Sequence, residues 1–230
     1  MSARQGPGPR APRDYTFQRE QMVAKLAEKG IRDPRVLQAL RQVPRHRFVR
    51  EHLWGQAYGD FALPLSSGQT ISQPWIVARM SELLAVEAGH KVLEVGTGSG
   101  YQTAVLAILA RWVFSLERVA ALARGAIERM RELSLGNVKI QAFDGTVGWS
   151  EVAPFDRILV TAGAPAAPQP LLDQLAPGGR LLLPEGTLEE QRLVLYDKDR
   201  FGGFQRQEAD GVAFVPLVGR FGWEVKETKK

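Results

Sequence analysis

Residues 91–101 read Lys-Val-Leu-Glu-Val-Gly-Thr-Gly-Ser-Gly-Tyr, an apolar strand with an acid inside it that runs directly into three glycines at alternate positions. Without Cβ atoms, Gly96, Gly98 and Gly100 allow a backbone turn to approach a ligand and to adopt positive φ angles. The next segment carries Ala104, Val105, Ile108 and Leu109 at helical spacing. Its first amides therefore lack partners within the helix and face whatever the turn holds. A plain tight turn would use the same glycines, so the spacing has to discriminate. A dinucleotide fingerprint places its third glycine three positions after the second, and Tyr101 stands there instead.

The form Glu-x-Gly-x-Gly-x-Gly, from Glu94 through Gly96, Thr97, Gly98, Ser99 and Gly100, resembles motif I of the S-adenosylmethionine-dependent methyltransferases. A cofactor with a ribose and an adenine needs further contacts at the ends of neighbouring strands. A second apolar run, 112–116, ends in Glu117, about twenty residues after the loop, where an acid can accept from both ribose hydroxyls. A third run, 137–141, leads into Phe143-Asp144-Gly145, which offers a carboxylate for an adenine amino group. Taken singly, Glu117 could be a capping or solvated acid and Asp144-Gly145 a surface turn. Three strands in phase, each ending in such a group, point to S-adenosyl-L-methionine as the cofactor.

A chain of 230 residues that is 44% hydrophobic can bury a substantial core. Zero cysteines exclude disulfides, cysteine-ligated zinc and a thiol nucleophile. No metal site is expected. The net charge of +5 would permit nucleic-acid binding, but Arg4, Arg10, Arg13, Lys226, Lys229 and Lys230 lie in the flanks and the other basic residues are interleaved with acids. No basic helix face with interleaved aromatics is visible, so no nucleic-acid partner is expected. Neither a signal peptide nor a long apolar span is visible, so a cytoplasmic location without membrane attachment is the expectation, and a monomer is expected.

The Pro-, Gly- and Arg-rich residues 1–13 are expected to be disordered. A helix carrying Met22, Val23, Leu26 and Ala27 should stop at Gly30. Asp33-Pro34 signals a cap and first turn of a second helix with Val36, Leu37 and Leu40, ended before Pro44. From Lys91 strands and helices alternate, with strands at 91–95, 112–116, 138–141, 156–160 and 179–183 and a late helix near 171–175. Near-continuous apolar strands in that alternation indicate an α/β fold with a doubly wound, mainly parallel sheet. Strand-rich segments at 191–196 and 212–218 read as antiparallel additions at its edge. The expected division is a disordered extension, 1–13, a single domain, 14–220, and a tail, 221–230. Within the domain, 14–60 forms a helical layer, 61–90 a substrate loop and helix, 91–184 the cofactor core and 185–220 the C-terminal strands.

The methyl acceptor is read from residues outside the glycine loop. Methyltransferases acting on base amino groups commonly carry Asn/Asp-Pro-Pro-Tyr/Phe after the fourth strand, whereas here that strand runs into Val160-Thr-Ala-Gly-Ala-Pro165. The absence of cysteine removes the covalent route to pyrimidine C5. Upstream, Pro74 suits a first helical position, and Ile76, Val77, Met80, Leu83 and Leu84 continue an amphipathic helix. Gln69, Thr70, Ser72 and Gln73 then present hydroxyls, amides and backbone N–H groups at a positive helix end, a place to hold a carboxylate. The competing role for Ser72 is helix capping.

Val43-Pro-Arg-His-Arg-Phe-Val49, Gly68-Gln-Thr-Ile-Ser-Gln-Pro74, Val92-Leu-Glu-Val-Gly-Thr-Gly-Ser-Gly-Tyr-Gln-Thr-Ala104, Phe155-Asp-Arg-Ile-Leu-Val-Thr-Ala162, Leu175-Ala-Pro-Gly-Gly-Arg-Leu181 and Phe214-Val-Pro-Leu217 occur in this order. Together they resemble the protein-L-isoaspartate O-methyltransferase family, with a Rossmann-like methyltransferase sheet, from about Tyr15 to Gly219. The resemblance implies methyl transfer to the free α-carboxylate of L-isoaspartyl residues in damaged proteins and peptides, which are then the partners. It implies an active-site serine at Ser72 and cofactor contacts from Thr70, Ile71, Ser72, Gln73, motif I, Glu117, Asp144 and Gly145. Substrate contacts are expected from Gln69, Ser72, Ala162, Val215, Pro216 and Leu217, the last three holding a peptide by strand addition. Two departures stand out: Phe143 replaces the glycine usual before Asp-Gly, and Leu65-Ser66-Ser67 replaces the usual Ile-Gly. His46, His52 and His90 are scattered and need no catalytic role. An RNA or small-molecule methyltransferase is the alternative enzyme class, and a non-catalytic cofactor-binding or protein-interaction module the alternative outside enzymes.

Overall fold

The computed structural model describes residues 14–65 and 68–224. The expected disordered extension at 1–13, the departure at Ser66 and Ser67 and most of the expected tail lie outside the described residues.

Two helices open the fold. In α1 (Thr16–Glu28), Met22, Val23 and Leu26 are buried. In α2 (Pro34–Gln42), the Asp33 side chain accepts from the Arg35 amide and caps the first turn. After two 3-10 turns at Arg45–Phe48 and Glu51–Gln56, a short antiparallel pair, β1 (Leu63–Pro64) and β2 (Thr70–Ile71), leads into α3 (Pro74–Leu84).

The core alternates β3 (Lys91–Val95), α4 (Tyr101–Leu109), β4 (Trp112–Glu117), α5 (Ala120–Glu132), β5 (Val138–Ala142), β6 (Phe155–Val160), α6 (Gln169–Asp173), β7 (Leu175–Gly186), β8 (Gln191–Lys198) and β9 (Phe204–Val212). Their order in the sheet is β5-β4-β3-β6-β7-β8-β9. Strands β3 to β7 pair in parallel, and β8 and β9 are antiparallel additions.

Alternation along each strand feeds two cores. Val92, Val113, Leu159 and Leu182 face the side covered by α1 to α4, whereas Leu93, Phe114, Ile158, Val160, Leu181 and Leu183 pack with α6 on the other. Burying each such side chain contributes roughly 1.5 to 3 kcal/mol. This double covering explains why the inner strands β3 and β4 read as near-continuous apolar runs, whereas the edge strand β5, less buried, admits Lys139 and Gln141.

Two expectations are corrected. The late helix spans Gln169–Asp173, not 171–175, because Leu175 already pairs with Phe155 as the first residue of β7. The last strand is Phe204–Val212, not 212–218. It carries no apolar pattern because its side chains are largely exposed and held by polar pairs, including Arg206 with Glu185 and with Glu208, both at 2.8 Å. Residues 213–218 leave the sheet, and Leu217 turns into the core at 5% exposure.

Candidate active site

The chain builds β3, β4 and β5 outward in one direction and then returns to place β6 on the other side of β3. Ligands bind at such a reversal, beyond the carboxyl ends of the strands, and a cavity of about 510 Å³ opens there. Its floor is the glycine loop. The amides of Gly96 and Thr97 donate to the Leu116 carbonyl at 2.8 and 3.3 Å, and the Gly100 amide closes the turn onto Thr97 at 2.8 Å. One residue beyond β6, the Thr161 hydroxyl lies within hydrogen-bond distance of the carbonyls of Gly96 (2.6 Å) and Val95 (3.0 Å), donating its proton between them.

Two glycines of the loop do different work. At Gly96, with φ +100°, an added Cβ would stand 2.3 Å from the Thr161 hydroxyl oxygen. At Gly98, with φ +53°, a Cβ would meet nothing within 4 Å, so the backbone there faces open cavity. The third, Gly100, caps α4 against Ala126 and Met130 and does not line the cavity.

The three acids separate by depth. Glu117 lines the cavity at 7% exposure, with one oxygen accepting from the Gly98 amide (2.9 Å) and the other from the Val119 amide (2.8 Å). A carboxylate offers about four lone-pair sites, so it keeps capacity for two hydroxyls. Glu94, expected at the cofactor, is instead wholly buried beneath the loop. One of its oxygens accepts from the Thr103 and Ser115 hydroxyls, both at 2.5 Å, while the other has no partner. Burial pushes this carboxyl up to about 7, against the pull of the two hydroxyls.

Asp144 also falls outside the cavity lining, although Gly145 is in it. Its carboxylate accepts from the Thr146 amide (2.9 Å) and hydroxyl (2.7 Å) and from the Arg220 amide (2.8 Å), fastening a turn at 219–222. Phe143, the departure beside it, is 46% exposed and stands outside the lining as well.

The opposite wall comes from 69–73. Gln69, Thr70, Ile71, Ser72 and Gln73 all line the cavity, placed there by the β1–β2 pair and the start of α3. Capping of α3 falls to neither Ser72 nor Gln73. The Asp60 carboxylate accepts from the Trp75 amide at 2.9 Å, and the Gln73 N-cap makes no side-chain bond. The expected set of free amides is correspondingly reduced, since Pro74 has none and that of Trp75 is taken. No hydrogen bond engages the Ser72 hydroxyl among the described residues, while its carbonyl accepts from buried Arg45 at 2.7 Å.

Ala162, Val215, Pro216 and Leu217 complete the lining. The Gly163 amide donates to Val215 O (2.8 Å) and the Leu217 amide to Gly163 O (2.7 Å), so one edge of this segment is occupied. On its other edge Pro216 presents a carbonyl and no N–H.

The profile of the family described as protein-L-isoaspartate(D-aspartate) O-methyltransferase matches residues 17–222. The chain belongs to this family.

A protein-L-isoaspartate O-methyltransferase of Magnetococcus marinus is 50% identical over 206 residues, covering 90% of each chain. One of Pseudomonas paraeruginosa is 54% identical over 202 residues, covering 87% of this chain and 95% of the other. Among solved structures, a protein of the same name from Plasmodium falciparum, in complex with S-adenosyl-L-homocysteine, superposes with a TM-score of 0.77 at 29% identity. That match covers 87% of this chain and 98% of the other. Family members are S-adenosylmethionine-dependent methyltransferases, and so is this chain.

The cavity suits that cofactor: its volume lies in the range of small-molecule sites, the open backbone at Gly98 admits a close approach, and Glu117 faces in. Several lining residues lie outside the expected set of site residues, among them Ala62 and Arg118, and Gln102, Thr161 and Phe214 within the family motifs. Arg118 and Thr161 each sit one residue beyond a strand end, a position that could have marked them. Phe214 opens the Phe214-Val-Pro-Leu217 motif, and Ala62 carries no such sign.

Proposed function

We propose that this chain methylates the free α-carboxylate of L-isoaspartyl residues in damaged proteins and peptides, with Ser72 as the residue that holds that carboxylate. What supports the assignment is Ser72, which lines the cavity, whose hydroxyl makes no hydrogen bond among the described residues and which is relieved of capping by Asp60. An isoaspartyl carboxylate has a pKa near 4 and is ionised at neutral pH, so no general base is required. When bound, S-adenosylmethionine supplies a methyl group already activated by its sulfonium.

The chain's own part is positioning, which can be worth up to roughly 7 to 11 kcal/mol. Gly96, Thr97, Gly98 and Ser99 bring backbone against the cofactor, with Glu117 for the ribose hydroxyls and Gly145 beside the adenine. Thr70, Ile71 and Gln73 enclose it from the α3 side. Glu94, Gly100 and Asp144 act from behind, as supports of the loop, the helix start and the 219–222 turn. Gln69, Ala162 and the carbonyl of Pro216, with Val215 and Leu217 beside it, receive the peptide. We place the enzyme in the cytoplasm as a monomer that needs neither nucleic acid nor a membrane.

Transfer of radiolabelled methyl to an isoaspartyl peptide should exceed transfer to its normal aspartyl twin. The label should leave as volatile methanol after mild alkali, because an ester is base-labile. Alkali-stable label, or equal labelling of the two peptides, would return the acceptor to the RNA or small-molecule class. Ser72→Ala should lower turnover tenfold or more, about 1.4 kcal/mol at the barrier, with melting temperature and cofactor affinity little changed. A lowered melting temperature with undiminished turnover per folded molecule would assign Ser72 to the helix end.

A further inference from the structure

Arg45 lies in the 3-10 turn after α2 and is wholly buried. Its Nε donates to the Ala57 carbonyl and one terminal nitrogen to the Ser72 carbonyl, both at 2.7 Å. The guanidinium carbon lies 4.7 Å from the centre of the Tyr101 ring. Its other terminal nitrogen and the Tyr101 hydroxyl, buried close to each other, have no hydrogen-bond partner within normal geometry among the described residues.

No ion pair to Arg45 is formed among the described residues. Asp60, an acid near enough to act on it through space, has its oxygens engaged by Lys29 and by the Trp75 amide. A guanidinium stays charged in a protein, and burying one without a counter-ion is costly. If only packing were needed, an apolar side chain of similar volume would serve the core better. The cost is incurred between two residues of the cavity wall, Ser72 and Tyr101.

We propose that Arg45 is a positioning residue for methyl transfer: it holds the Ser72 peptide from behind, fixing where the Ser72 hydroxyl stands, and its unneutralised positive charge favours a substrate carboxylate in the cavity. The role rests on Ser72 as the group that receives the isoaspartyl carboxylate. Geometry selects arginine, because two divergent N–H donors and a flat face over Tyr101 are used together, and lysine offers neither the fork nor the face.

The test is a double-mutant cycle on kcat/KM for an isoaspartyl peptide. Arg45→Lys and Arg45→Met are each made in the wild-type and the Ser72→Ala background, with folding checked by melting temperature and cofactor affinity by titration. Arg45→Lys should lower kcat/KM tenfold or more in the wild-type background and less than threefold once Ser72 is alanine, because coupled residues do not add. Peptide KM should rise more in Arg45→Met, which loses the charge, than in Arg45→Lys, while the cofactor Kd stays within twofold. Equal losses in both backgrounds, an Arg45→Met enzyme with undiminished kcat/KM, or failure of both variants to fold would each overturn the role. A wild-type enzyme inert toward the isoaspartyl peptide would instead overturn the acceptor assignment beneath it.

Discussion

Glu117→Ala should weaken S-adenosylmethionine binding by about 1.5 to 3 kcal/mol, the usual worth of hydrogen bonds to a charged group. Both oxygens of this carboxylate are engaged by amides of the cofactor wall, Gly98 at 2.9 Å and Val119 at 2.8 Å. Removing it therefore takes an acceptor from the ligand and also strands two N–H donors that set the shape of the loop. The fold itself rests on the apolar layers on either face of the sheet and should survive. Calorimetric titration of the folded variant decides the matter, and an unchanged dissociation constant would remove Glu117 from the site.

The second large effect concerns Glu94 and appears as a dependence of stability on pH. Burial, with lesser opposing bonds from Ser115 and Thr103, raises its folded-state value from the ordinary 4.5 to about 7. A raised carboxyl binds its proton more tightly in the native state. Its stabilising contribution is thus complete below about pH 4.5 and is lost as the pH climbs through 7. Over that window the loss is about 3 kcal/mol, at 1.36 kcal/mol for each pKa unit. Glu94→Gln has no such proton to lose, so its denaturation free energy relative to wild type should improve by that amount between pH 4.5 and 8. Parallel profiles for the two proteins would show that Glu94 does not titrate in this range.

What could be read in advance followed from periodicity. The inner strands β3 and β4 are buried on both faces and so are almost wholly apolar, the first helix carries its stop residue, and the second carries both its cap and its stop. Strand β9 could not be seen because it is an edge strand whose partners are charges, leaving Gln205, Arg206 and Glu208 in place of an alternating pattern. Within the site, motif spacing located the loop, Glu117 and the 69–73 wall, but spacing reports which residues are near a strand end and not which way they point. Hence Glu94, two positions before Gly96, proved to lie under the loop, and Asp144 proved to hold the Arg220 amide. Arg45 sits in a conspicuous motif, yet its meaning required knowing that Ala57, Ser72 and Tyr101 converge on it from three separate stretches of chain.

The order of the strands has a consequence for how such an enzyme can change. Most of what is assigned to the methyl donor hangs from the carboxyl ends of β3, β4 and the turn after β5, inside the parallel sheet, with Thr70, Ile71 and Gln73 closing over it from outside. Most of what faces the acceptor is carried by 69–73 before that sheet and by 213–218 after it. Mutations in the second of those stretches, 213–218, can accumulate, be selected and be discarded while the residues assigned to the donor stay fixed. Drift in substrate preference is thereby separated from drift in cofactor use, and a lineage could explore new acceptors without first losing its methyl supply.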